Sequence, residues 1–277
     1  MSRASLDLGA LLGGGMVLLR RRPGTILIWT LIYVAGLAGA DLMARQVLLT
    51  DPSGGGGAFS LFLIQLLLAL ISPLLLTAAM RALLRPKETE FASLDAGMDE
   101  LRVIGISLIL SIFFAIVSWI SRLVLGGLVV ATLSQTVAII VLLAPLLIAA
   151  CLFARLSLAF PLALIRKRIA LEEAWGLSEG HFWPFFLAYA VIATGTILLS
   201  LAVAAALDWS AFASLFGGYG GPMQQLRIIG PVDGMTILRW VLNGAQATLG
   251  VVFMAGAMIA GAHELVPDNE GLTETFS

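Results

Sequence analysis

The sequence predicts an all-α membrane protein, a six-helix transmembrane bundle built from helical hairpins with short interfacial helices on its cytoplasmic face. Three observations predict it. Of 277 residues, 60% are hydrophobic and only 12% charged, with a mean hydropathy of +1.01. A soluble domain carries about 25% charged residues, so water cannot be the solvent for most of this surface. Six stretches reach the ~20 apolar residues that a spanning helix needs. Finally, the basic residues gather on alternate connections.

Taken in chain order, residues 4–22 contain Ser5-Leu6-Asp7-Leu8-Gly9-Ala10 and end on Arg20, Arg21 and Arg22. They read as a short amphipathic helix on the inner leaflet. The first span, about 25–49, stops at Asp51-Pro52 and the glycines at 54–57. The second, about 58–84, carries Pro73 and runs into the charge-rich stretch 85–102. There 88–101, with Ser93-Leu94-Asp95-Ala96-Gly97-Met98, is a second interfacial segment. Spans at about 103–125 and 128–154 are joined by the tight turn Gly126-Gly127. Pro145 kinks the fourth span, as Pro73 does the second. It continues as a helix toward Arg166, Lys167 and Arg168. A third interfacial segment, 169–181, holds Ala170-Leu171-Glu172-Glu173-Ala174-Trp175. Spans at about 184–207 and 236–262 follow, and 264–277 is an acidic tail. The three interfacial segments suggest an internal repeat of one surface helix plus one hairpin.

Two alternatives bear on this scheme. Arg20 to Arg22 followed by an apolar run ending Ala38-Gly39-Ala40 resembles a signal peptide, but apolar sequence resumes after Asp41. Splitting 128–165 at Pro145 into two spans would place Arg166, Lys167 and Arg168 outside and Arg155 deep in lipid. With six spans and the N-terminus inside, twelve Lys/Arg fall on the inner side and only Arg45, Arg122, Arg227 and Arg239 on the outer. That asymmetry puts both termini in the cytoplasm of a bacterial inner membrane. Trp119, Trp209 and Trp240 then lie near the outer interface, Trp175 and Trp183 near the inner.

The same residues disfavour several functions. A net charge of -1 argues against nucleic acid, which needs a basic face. Cys151 is the single cysteine, so no intramolecular disulfide can form. His181 and His263 lack metal-ligand spacing, and no glycine run continues into Gly-Lys-Ser/Thr. No cofactor, metal site or catalytic constellation is expected. Charge inside a span is costly, which directs attention to Asp41, Arg45, Arg81 and Arg122. Asp41 and Arg45, four apart, share a helix face and can pair. The arginines near span ends can snorkel to lipid phosphates. Gly36/Ala40, Gly256/Ala260 and Ala257/Gly261 are small-xxx-small pairs suited to close helix packing. The connection 208–236, with Phe212, Phe216 and Tyr219, is long enough to act as an outer plug, a partner site or a passive cap.

The run Arg155-Leu156-Ser157-Leu158-Ala159-Phe160-Pro161, followed by Glu172-Glu173-Ala174-Trp175-Gly176-Leu177-Ser178-Glu179-Gly180-His181-Phe182-Trp183, forms a pattern of its own. It resembles the membrane domain of bacterial glycerophosphoryl diester phosphodiesterases and related stand-alone multi-pass proteins. The resemblance implies the hairpin plan. It does not carry the hydrolase, a separate soluble barrel of roughly 250 residues.

The sequence therefore leads to a non-enzymatic inner-membrane protein that scaffolds or organises lipids or partners. Arg155, Arg166, Lys167, Arg168, Trp175 and Trp183 are its expected contacts with the bilayer and with anionic phospholipids. A membrane or cytoplasmic protein is the other expected partner. The alternative is a small-solute or lipid transporter or channel using Asp41, Arg45, Pro73 and Pro145; an intramembrane enzyme ranks third.

Overall fold

Helix caps and prolines divide the chain. The computed structural model describes residues 7–50, 57–85, 97–129, 135–207 and 231–266. Among these residues nine helices and no strand occur. Most of the expected interfacial segment 88–101, the outer connection as far as residue 230, and the tail from residue 267 lie outside the described residues. So do the side chains of Arg122 and Pro145.

Helix α1 (Leu8–Arg21) begins where the Asp7 carboxylate accepts the Gly9 amide at 3.1 Å. Such a cap satisfies a donor that has no partner within the helix. Arg20 and Arg21 occupy its last turn, opposing the negative end of the dipole. Only Arg22 separates it from α2 (Pro23–Thr50), whose first residue is a proline preset for helix entry. Helix α3 (Gly57–Leu84) contains Pro73, and the Thr77 hydroxyl donates to the Pro73 carbonyl at 2.8 Å. Helix α4 (Met98–Val129) starts with a capping arrangement in which Glu100 accepts the Gly97 amide at 2.8 Å. Helix α5 (Gln135–Leu156) ends on the turn that carries Arg155.

Here the structure departs from the expectation of one continuous helix. Ser157 and Leu158 form a turn, and α6 (Ala159–Arg166) follows. Proline supplies the reason. Pro161 has no N–H, so the Ser157 carbonyl loses its helical donor and instead takes the Phe160 amide at 3.3 Å. Nor is α6 a surface extension: Ala159, Phe160, Pro161, Leu162, Ala163 and Leu164 are all buried. It ends where Lys167 takes a left-handed conformation (φ 53°). Then come α7 (Leu171–Leu177), a turn at Gly180 with φ 84°, and α8 (Phe182–Leu207). The last helix, α9 (Gly234–Leu265), is capped by Asp233, which accepts both the amide and the hydroxyl of Thr236.

Among the described residues six segments are long and apolar enough to cross a membrane: Pro23–Val47, Leu63–Leu84, Met98–Val117, Leu147–Arg166, Phe182–Leu207 and Gly234–Leu265. The chain is thus an all-α, multi-pass membrane protein. Its exposed surface agrees, since Leu31, Leu67, Ile112, Ile116, Ile197 and Leu198 all lie open, each more than half exposed. Hydrocarbon, not water, must cover such faces.

The chain divides into two compact units, with boundaries inside α1, α8 and α9. One comprises Met1–Gly13, Ala96–Tyr189 and Ala257–Ser277. Its core contains Leu11, Val103, Ile106, Leu158, Leu162, Phe185 and Met258. Within it α6 packs on α4 and α7, and α5 on α4 and α7. The other unit comprises Gly14–Asp95 and Ala190–Gly256, with Leu18, Trp29, Leu75, Met80 and Val252 in its core. In it α2 packs along α3, and the Tyr33 and Ser72 hydroxyls hydrogen-bond across that contact. Gln246 donates to the Thr196 carbonyl at 3.0 Å and to the Ser200 hydroxyl, joining α9 to α8. Side-chain amides and hydroxyls inside apolar segments join helices in this way. Gly14 and Gly15 of α1 press on α9: a Cβ built on Gly256 would come within 3.0 Å of their backbone.

Candidate functional site

A concave site lies in the first unit, on α5, α7 and the start of α8. Cys151, Leu152 and Arg155 lie three, four and seven residues after Ile148, which places all four on one face of α5. Together with Trp175 of α7 and Phe182 of α8 they line an open cleft of about 390 Å³. That volume lies toward the small end of ordinary ligand sites.

Arg155 is the cation of this site. Its guanidinium carbon stands 5.3 Å from the Trp175 ring centroid and 5.5 Å from that of Phe182. Both distances fall within cation–π range. The carbonyl end of α5 adds a favourable dipole, since Arg155 occupies its last turn. Among the described residues no carboxylate pairs with it. The aromatic wall is itself braced. Phe182 stacks on Phe186 at 5.5 Å and meets Trp183 edge-on at 5.3 Å. Behind it, Phe153 meets Tyr189 edge-on at 5.2 Å.

The neighbouring basic connector has a different geometry. Arg166 donates from Nε to Glu173 Oε1 at 3.2 Å, and Arg168 from Nη2 to Glu173 Oε2 at 3.1 Å. One carboxylate thus holds two guanidinium groups across the turn between α6 and α7. Lys167, exposed between them, has no ion-pair partner among the described residues. Glu173 thus engages two of the three cations on this turn, and Glu172 and Glu179 lie further along the same stretch. The exposed indoles of Trp175 and Trp183, 46% and 66% accessible, flank it in sequence.

The structure therefore brings Arg155 and Trp175 together and ties Arg166 to Arg168 through Glu173. Phe182, which the sequence reading had only as a motif position, completes the cleft. Glu173 had no assigned role either. Both belong to the run between Glu172 and Trp183, but spacing alone could not say which rings and which carboxylate face the cations.

The intramembrane charges are elsewhere. Arg45 donates to Asp41 at 2.9 Å along α2, with side chains 12% and 28% accessible. Arg81 sits part-buried in the last turn of α3. Among the described residues no three His, Cys, Asp or Glu side chains come together as a metal site would require.

No family model matches the sequence, and no curated protein or solved structure is detectably similar to it.

Proposed function

We propose that this chain is a non-enzymatic multi-pass membrane protein that organises anionic phospholipids, and partners gathered with them, at one membrane face. The observation that carries the reading is the connector between α5 and α8. Arg155 at the end of α5 and Arg166, Lys167 and Arg168 after α6 lie close in sequence to exposed indoles, and among the described residues Glu173 is the carboxylate paired with Arg166 and Arg168. Basic residues near an anionic surface contribute about 1 kcal/mol each, and indoles favour the headgroup level. The proposal includes a bacterial inner membrane with the connector on the cytoplasmic side, as the Lys/Arg bias suggests. It also includes kinship with the membrane domain associated with glycerophosphoryl diester phosphodiesterases, through the Arg155 to Pro161 and Glu172 to Trp183 motifs.

Lipid retention on purification tests this reading from both directions. Replacing Arg166, Lys167 and Arg168 with glutamine is expected to lower the anionic share of co-purified lipid several-fold. Glu173→Gln is expected to raise it, because two guanidinium groups lose their internal counter-charge. Stability should hardly change in the second variant, since ion pairs this exposed contribute at most about 1 kcal/mol. An anionic share that moves in neither variant contradicts the proposal.

A small-solute or lipid transporter or channel is the competing reading. It leans on Asp41 and Arg45, which lie within a span. Their mutual bond gives both residues a structural use, and the transport reading is placed second for that reason.

A further inference from the structure

The lining of the cleft has two chemically distinct parts. Ile148, Cys151 and Leu152 form an apolar strip along α5, within a membrane-spanning segment. Arg155 ends that strip, with Trp175 and Phe182 beside its guanidinium. From Ile148 to Arg155 the helix rises about 10 Å, roughly half the depth of one leaflet's hydrocarbon plus its glycerol level. An apolar groove leading to a single cation matches a molecule with a hydrocarbon tail and an anionic head.

The guanidinium is suited to one kind of head. A guanidinium carries five N–H donors in a planar fork, and among the described residues no carboxylate takes those of Arg155. Phosphate and carboxylate both fit that fork in bidentate fashion. Glu173, the nearby carboxylate that could compete, is already held by Arg166 and Arg168.

We propose that this cleft binds one glycerophospholipid, its phosphodiester on Arg155 and the upper part of one acyl chain along Ile148, Cys151 and Leu152. This deepens the lipid-organising reading and rests on it for the membrane setting. It differs in one respect: the connector selects lipids by net charge, whereas Arg155 recognises the phosphodiester common to charged and zwitterionic lipids.

Cys151 makes the site directly measurable, because it is the only cysteine in the chain and lies in the cleft wall. The experiment follows maleimide labelling of Cys151 in the full-length protein in detergent micelles, as phosphatidylethanolamine is added. Labelling should slow as the cleft fills. Arg155→Gln should shift the half-protecting lipid concentration upward roughly tenfold or more, as loss of a charge-assisted hydrogen bond predicts. Arg155→Lys, which keeps the charge but not the planar fork, should fall between, and carries the test if the glutamine variant does not fold. Diacylglycerol and inorganic phosphate, offering tail without head and head without tail, should each fail to protect.

Protection of Arg155→Gln at the wild-type lipid concentration would overturn the assignment, as would equal protection by diacylglycerol. Protection by inorganic phosphate alone would make this a soluble-anion site and overturn the lipid. The glutamine triple variant at Arg166, Lys167 and Arg168 separates the two proposals. Cys151 protection should persist there even if anionic enrichment proves independent of those residues; protection lost there but kept in Arg155→Gln would move the headgroup to the connector.

Discussion

At the scale of single residues, close approach decides more than charge. Gly256 faces the backbone of Gly14 and Gly15, where no side chain can swing aside. A methyl group there forces main chain against main chain. Gly256→Ala is expected to cost about 1–3 kcal/mol, the usual range for overpacking, seen as a lower thermal midpoint in detergent. Gly195 is the control, because a Cβ there meets nothing within 4 Å. Gly195→Ala should leave the midpoint unchanged or raise it through better helix propensity. Equal effects at the two positions would contradict the close contact. The sequence reading had Gly256 in a small-residue pair, but not its partner. Gly14-Gly15 reads as a weak helix-forming pair in isolation, and packing against α9 gives it a use. The Asp41–Arg45 bond, by contrast, was legible from spacing alone, because both residues belong to one helix. Gln246 left a visible trace as an amide in an apolar segment; its partners on α8, some fifty residues distant, did not.

At the scale of elements, caps and prolines explain where helices begin and end. The turn at Ser157 follows from Pro161, four residues later, through a single missing donor. A proline at that position was legible; the full burial of α6 behind it was not, since an apolar run reads equally as a span end or a core helix. The break also shapes the site, because it turns the chain after Arg155 and brings Trp175 back to it. At the other end of the chain, Asp233 begins α9. Its hydrogen bonds to the Thr236 hydroxyl and amide, with Arg239 adding a little, hold its carboxyl below the usual carboxylate range. A depressed folded-state value means that the cap stabilises fully above the ordinary aspartate value of about 3.9. The contribution then fades as pH falls through the lower folded value. Amide-exchange protection at Thr236 should accordingly decline under acid conditions in the native protein. Asp233→Asn keeps the acceptor and should flatten that decline; an unchanged acid slope in the asparagine variant would remove Asp233 as the cause.

At the scale of the whole molecule, the solvent decides the fold. Among the described residues the spanning helices leave many leucine and isoleucine side chains exposed, which only lipid accommodates at low cost. Composition made that class legible because too few charges exist to clothe a water-facing surface. The division of the chain into two compact units was not legible. It depends on which apolar faces meet, and apolar faces in a membrane protein differ too little in sequence to choose their partners. In the proposed topology, which rests on six crossings and the Lys/Arg bias, residues near Asp7, Arg85, Lys167 and Val266 would share a side, with Thr50 and Val232 opposite. Single cysteines placed at these positions in a Cys151→Ser background, labelled in intact cells with a membrane-impermeant maleimide, test it most directly. The account predicts labelling at positions 50 and 232 only. Labelling at position 167, or at just one of positions 7 and 266, would contradict it.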